Sequence, residues 1–405
     1  MNLRRKICSI FLLIAFGAVA AAQQPARDFA LRDGDRVVFF GDSITEQRLY
    51  TTYIEHYVLT RYPDRRITFI NVGWGGDKVT GNDCQPCAGV GGLARIKRDV
   101  IDRRPTVVTL LFGMNDGQYK DFDPAILKVY EDGLTAIIRT LKAQTQARIY
   151  VMTPTVYDGT RRPAWSHTDR YNEVLDRYSE AAKRIAAREG VPIIDLHEAT
   201  TAALREAKQI NASYTFVPDG VHPEADGQLL MAAEILRAWG APPNGMELTR
   251  SLTLSGDGSA TLTLNAPLPW PSPIPSEEMR RTRPLIEEIG RVRLKLNGLP
   301  AGRYKVRVDD GDAVEYSAQE LEGGIPISAL SKEAREATDK LAGLVRRRAD
   351  LFFLRWRQIE VPLDGQYRSV SQVLSAFDAL DAEITAQERT LAQPHQYRIS
   401  IARLP

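Results

Sequence analysis

Cysteine is nearly missing: the 405-residue chain holds three, one of them, Cys8, in a segment that reads as removable. So few cysteines exclude a disulfide-stapled scaffold and any four-cysteine structural zinc site. Net charge is missing as well. Lys and Arg number 53 against 51 Asp and Glu, a formal +2, which leaves no electrostatic footprint for nucleic acid. Arg346, Arg347 and Arg348 form too short a run for a polybasic patch and read as a solvated helix face. No internal repeat is visible. Beyond the N-terminus no apolar run reaches the ~20 residues that a membrane-spanning helix needs.

What is present begins with a targeting pattern. Arg4, Arg5 and Lys6 precede an apolar run over 7–22 that ends in Ala20-Ala21-Ala22 before Gln23. This is the form of a secretory signal peptide with a small-residue cleavage site. It predicts loss of residues 1–22, a periplasmic or secreted protein, and no stable membrane insertion after cleavage. An uncleaved anchor is the alternative, against which the run is short. Cys8 lies too early for lipoprotein processing. The remaining pair, Cys84 and Cys87, reads first as a disulfide in an exported chain. Free thiols stay open, a zinc site lacks a second pair, and a thioredoxin-like redox role lacks its fold context.

The length suggests two domains, divided here as 23–243 and 244–405. From 36 to 240, β-branched and aromatic runs at 36–40, 67–70, 106–111, 149–152 and 191–194 alternate with amphipathic stretches. The runs lack polar alternation, as strands buried on both faces do. Strand–helix repetition predicts a parallel sheet with right-handed crossovers, and ligands beyond the carboxyl ends of its strands. The pattern breaks at Trp239-Gly240-Ala241-Pro242-Pro243. Alternation then takes over. Leu252 and Leu254 are set against Ala260, Leu262 and Leu264 across a hairpin-like Gly256-Asp257-Gly258 turn. Further strands are expected around Val292–Leu296, Tyr304–Val308 and Tyr397–Ile401, with an extended proline-rich segment at 267–273. Two apolar stripes at helical spacing, Leu330 to Ile359 and Val373 to Leu391, predict a helical hairpin inserted at about 330–392.

Four short segments at predicted strand ends carry the chemistry. Gly41-Asp42-Ser43-Ile44-Thr45 places a serine at a strand-to-helix turn. Asn71-Val72-Gly73-Trp74-Gly75-Gly76-Asp77 supplies glycines that let a backbone N–H approach a ligand. Gly113-Met114-Asn115-Asp116 offers a side-chain amide. Asp219-Gly220-Val221-His222-Pro223 spaces a carboxylate and an imidazole three apart in a turn, with Pro223 suited to the first turn of the helix that follows. Each has a bland reading alone: a plain turn, a helix cap, a packed histidine. All four fall in order along one sheet, so they converge on one cleft.

Together these segments resemble blocks I, II, III and V of the SGNH (GDSL-like) hydrolases, over roughly 34–240. The resemblance implies a flavodoxin-like three-layer α/β/α fold and metal-independent ester hydrolysis through an acyl-serine, with no cofactor. It makes Ser43 the nucleophile, His222 the base and Asp219 its orienting acid. The oxyanion hole would be the N–H groups of Ser43 and Gly76, Gly76 rather than Gly75, with the Asn115 amide. Ile44 stands where the longer GDSL signature has leucine. Asp42 and Asp116 are expected to support the loops. Export and family together favour deacetylation of carbohydrate, with a glycan or small-molecule ester as the partner and no nucleic acid. A lipolytic esterase or thioesterase is the nearest rival, and a non-catalytic glycan-binding protein the rival from another class. Trp165 and His167, on the loop after the fourth strand, are candidates for lining the substrate site. His56 falls within the first helix pattern, His197 lacks a partner at short spacing, and His395 lies near the C-terminus in the other domain. The C-terminal β-rich region lies outside the shared blocks, and no function carries over to it.

Overall fold

The computed structural model describes residues 28–81, 90–363 and 365–405. The expected signal segment and the Cys84/Cys87 pair lie outside the described residues. Strands β1 (Arg36–Gly41), β2 (Thr68–Asn71), β3 (Val107–Leu111), β4 (Arg148–Met152) and β5 (Ile193–Ile194) form one sheet in the order β2-β1-β3-β4-β5. Every pairing in it is parallel. Val37, Val38, Phe39 and Phe40 are fully buried, as are Val107 and Val108. That is why these strands read as continuous apolar runs: helices cover both faces.

On these strands follow α1 (Ser43–Glu46), α2 (Leu49–Arg61), α3 (Gly92–Asp99), α4 (Pro124–Gln144), α5 (Tyr171–Glu189), α6 (Leu196–Ile210) and α7 (Ala225–Ala238). Helices α3, α4 and α5 pack in one row, and α2, α7 and α6 in another. The order reverses between β1 and β3, so the crevice for ligands opens at the carboxyl ends there. Two details differ from the sequence reading. The Asp219–His222 segment does not follow β5 directly, because α6 intervenes. Pro223 precedes the helix, whose N-cap is Glu224.

The C-terminal region is β-rich. One sheet orders β10-β9-β12-β7 and another β11-β8-β6. Their strands are β6 (Met246–Ser251), β7 (Ser259–Ala266), β8 (Val292–Asn297), β9 (Arg303–Val308), β10 (Val314–Ser317), β11 (Ile325–Pro326) and β12 (His395–Arg403). The expected hairpin around Gly256-Asp257-Gly258 is a turn without a hairpin. Its flanks enter different sheets, β6 parallel to β8 and β7 antiparallel to β12. Leu252 and Leu254 lie in the connection.

The expected helical hairpin is there, as Lys332–Phe353, a π-helical stretch Leu354–Glu360, and Val370–Leu391. Its first helix packs on α2 of the hydrolase body. Trp356 and Trp270 both join the hydrolase core rather than the C-terminal one. The Trp270 indole N–H donates to the Tyr53 carbonyl at 2.9 Å. The second helix is covered only in part: Val373 and Leu380 are exposed, while Leu391 packs against the C-terminal core. The arginine run departs from expectation. Arg348 is buried and paired with Glu55, Glu388 and Asp381, while Arg346 donates to the Gln47 carbonyl at 2.8 Å. Tertiary acids on α2 and the second hairpin helix turn a charge run into an internal clamp.

Candidate active site

Ser43 opens α1 directly after β1, so its backbone N–H belongs to the first helical turn, where donors have no partner inside the helix. Asp42 is the N-cap and accepts from the Ile44 N–H at 3.0 Å. Burial pushes the Asp42 carboxyl up to about 8, helped by the nearby acids Asp116 and Asp77.

The Ser43 Oγ lies 2.8 Å from His222 Nε2. The other ring nitrogen, Nδ1, lies 2.6 Å from Asp219 Oδ2. Asp219 Oδ1 in turn accepts the backbone N–H groups of Val221 and His222 at 2.9 and 2.8 Å. Burial would raise this carboxyl. The donors from His222 and Val221 outweigh it and hold Asp219 below the ordinary carboxylate range, so it stays ionised and orients the imidazole. Gln228 on α7 joins the two halves. It accepts the Tyr50 N–H at 3.0 Å and donates to the Pro223 carbonyl at 3.2 Å.

The glycine segment forms a turn closed by Asp77 N–H to the Trp74 carbonyl at 3.1 Å. Gly76 takes the second central position with φ +74°, a left-handed conformation that favours glycine. The N–H of Gly75 is engaged by the Glu46 carboxylate. Gly73 has no room for a side chain: a Cβ there would sit 2.2 Å from the Glu46 nitrogen. Asn71 braces the approach, its amide donating to the Thr45 carbonyl at 2.7 Å and its oxygen accepting the Gly73 N–H at 3.0 Å.

Asn115 donates through Nδ2 to the Asp77 carbonyl at 3.0 Å, which leaves that nitrogen one hydrogen, and its Oδ1 accepts the Tyr119 hydroxyl at 2.8 Å. Asp116 accepts the N–H groups of Val79 and Gly113, both at 2.9 Å. Burial pushes it to about 7 against those donors. Asp42 and Asp116 therefore support the loops, as the sequence led one to expect.

Three residues at the site carry no local sequence signal. Arg95, fully buried, bonds Asp77 at 2.5 Å and donates to the carbonyls of Val72 and Gly41 at 2.7 and 2.9 Å; it ties the end of β1 to the glycine turn. Tyr119 fixes the Asn115 amide and packs against Tyr171 and Trp165. Phe353, from the distant hairpin, lines the cleft of about 540 Å³ that also holds Ser43, His222, Asp219, Gln47 and Arg48.

Trp165 is exposed and meets Tyr119 edge-on at 4.6 Å. His167 sits on the same loop, its N–H donating to the Tyr119 carbonyl. His197 and His395 do find carboxylates, Asp176 and Asp309, at 2.9 and 3.0 Å, partners that short-range spacing could not reveal. Burial drives His56 down to about 3, which keeps it neutral inside α2. Asp309, Glu333 and His395 draw together in the C-terminal region, but Asp309 is already bonded to Ser331 and the Arg398 N–H.

Residues 39–230 match the model of the GDSL-like lipase/acylhydrolase family. The chain carries a GDSL-like (SGNH) hydrolase domain. An acetylxylan esterase from Geobacillus stearothermophilus is 27% identical over 228 residues, 51% of this chain and 94% of the relative. A gut microbial diltiazem-metabolizing enzyme superposes with a TM-score of 0.74 at 22% identity, over 92% of this chain and 98% of its own. At that identity the likeness is one of fold, and it extends through the C-terminal region. No helix among the described residues is long and apolar enough to cross a membrane.

Proposed function

We propose that this GDSL-like hydrolase is an exported serine esterase that removes acyl groups, acetyl first among them, from carbohydrate esters. The observation that carries the reading is the Ser43–His222–Asp219 relay, with contacts of 2.8 and 2.6 Å. A serine hydroxyl attacks only when a base takes its proton. In this reading His222 Nε2 takes the proton while Asp219 holds the tautomer with hydrogen on Nδ1. Ser43 Oγ bonds the ester carbon, and negative charge moves to the carbonyl oxygen. The N–H groups of Ser43 and Gly76 and the remaining Asn115 amide hydrogen receive that charge. Collapse of the tetrahedral species expels the alcohol, which takes the proton from His222. Water then repeats the sequence on the acyl-serine and releases the acid. These groups suffice for the chemistry without a cofactor.

Acetyl and carbohydrate enter by analogy with the acetylxylan esterase relative. Export rests on Arg4, Arg5, Lys6 and the apolar run before Gln23. The test is p-nitrophenyl acetate hydrolysis. Ser43→Ala is expected to abolish turnover, and Asn115→Ala to lower kcat roughly 10²–10³-fold with the fold intact by circular dichroism. Undiminished activity in Ser43→Ala would sink the nucleophile assignment. A panel of acetylated sugars and longer p-nitrophenyl esters then separates carbohydrate deacetylation from lipolysis.

A further inference from the structure

Part of the wall of the Ser43 cleft comes from the far end of the chain. Arg346, Asp350 and Phe353 are spaced by four and three, so they share one face of the Lys332–Phe353 helix. That face lies against Glu46-Gln47-Arg48, the residues immediately after the nucleophile turn. Arg346 donates to the Gln47 carbonyl at 2.8 Å. Arg48, held in a left-handed backbone conformation at φ 63°, donates Nε to Asp350 at 3.0 Å and Nη1 to the Glu46 carbonyl at 2.6 Å. Its guanidinium covers the Phe353 ring at 4.3 Å from the centroid. Both Arg48 and Phe353 line the cleft beside Ser43 and His222.

Arg48 is thus fixed by an acid, a carbonyl and a ring, and its Nη2 makes no hydrogen bond among the described residues. The guanidinium fork is rigid, so the remaining donors point in a set direction. The part of the Phe353 ring that the guanidinium leaves uncovered adds apolar surface to the cleft wall. The cleft, about 540 Å³, is far larger than an acetyl group fills. The rest of that space is open to the alcohol half of the ester.

We propose that Phe353 is a specificity-determining residue: with Arg48 it forms a wall for a ring-shaped alcohol, the apolar side of a pyranose packing on the part of the Phe353 ring that Arg48 leaves uncovered and its hydroxyl oxygens accepting from Arg48. The proposal rests on the esterase reading above and adds to it the part of the substrate recognised. It makes the C-terminal helix part of the substrate site rather than a separate glycan-binding module.

The test compares kcat/KM of the full-length protein on a mono-acetylated methyl xylopyranoside and on ethyl acetate, which has no ring. The wild type is expected to favour the sugar ester, and Phe353→Ala to lower that sugar-to-ethyl ratio about tenfold. Phe353→Tyr keeps the aromatic face and should keep the ratio. Phe353→Leu, which preserves apolar bulk should the alanine variant fold poorly, should lose most of it. A structural role alone would depress both esters together. An unchanged ratio in the alanine and leucine variants therefore overturns the proposal while leaving the esterase reading standing. Wild-type rates on both esters no higher than those of Ser43→Ala would instead remove the esterase reading, and this inference with it.

Discussion

An asparagine amide turns readily about its last torsion, and a partner on its oxygen decides which atom faces a reacting carbonyl. For Asn115 that partner is the Tyr119 hydroxyl at 2.8 Å. Tyr119→Phe keeps the ring packing and removes only this restraint. It is expected to lower kcat about tenfold with KM little changed, measured on p-nitrophenyl acetate. A kcat near wild type would show that the Asp77 carbonyl alone holds the amide. Asp42 poses a different question, one of proton linkage. Its folded value of about 8 lies above the ordinary 3.8 because it is buried. Between those values the folded chain keeps a proton that the unfolded chain has released, so stability falls as pH rises. Asp42→Asn can still cap Ile44 and lacks the titration. The wild-type Tm minus the variant Tm should therefore decline from about pH 5 to about pH 8 in paired thermal melts. A difference independent of pH would mean that Asp42 is ionised throughout. Ser43, Gly76, Asn115, Asp219 and His222, the residues of the proposed site, could be picked out because each sits in a short pattern. Tyr119 and Arg95 could not, because their importance lies in what tertiary packing brings to them.

At the scale of elements, the parallel strands could be read from their unbroken apolar runs, a direct result of burial on two faces. The Gly256-Asp257-Gly258 turn misled, since turn chemistry fixes a reversal of the chain but not which strand each flank will pair with. The hairpin helices show a similar limit. Helical spacing announced both, yet it could not tell that Leu380 faces solvent or that Trp356 enters another region's core. The π-helical stretch Leu354–Glu360 is where this matters most. Trp356 meets Trp74 edge-on at 5.7 Å and donates its indole N–H to Asp99 at 3.0 Å. Arg357 lies over the Trp74 ring at 3.4 Å. Wide helical turns of this kind recur at functional sites, and this one backs the glycine turn. Trp356→Ala is expected to destabilise the protein by about 3–5 kcal/mol, read from the denaturant midpoint at constant slope. A loss under about 1 kcal/mol would mean that the indole is not core.

Over the whole molecule, two cores are joined by side chains that cross between them. Trp270 and Trp356 lie in the hydrolase core although their sequence neighbours belong to the C-terminal region. Arg348 bridges Glu55 of α2 and Glu388 of the second hairpin helix. Burial raises both acids, and the buried guanidinium between them stays charged, its affinity for the proton raised by those same acids. Removing one partner from such a cluster leaves an uncompensated buried charge, so the regions are expected to unfold together. Calorimetry should record one cooperative transition for the full chain; two resolved peaks would show the regions to be independent. The sequence division near 243 could be drawn because composition and periodicity change there. The crossing contacts could not, for no local pattern links residues nearly 300 positions apart.

The backing of the Gly75-Gly76 turn by Trp356 and Arg357 also bears on timing. Asp99 and the indole that bonds it are 257 residues apart. A ribosome delivers Ser43, Asn115 and His222 well before the tryptophan that packs behind the turn. The packing behind the glycine turn is thus completed only late in translation, after residue 356 has been made.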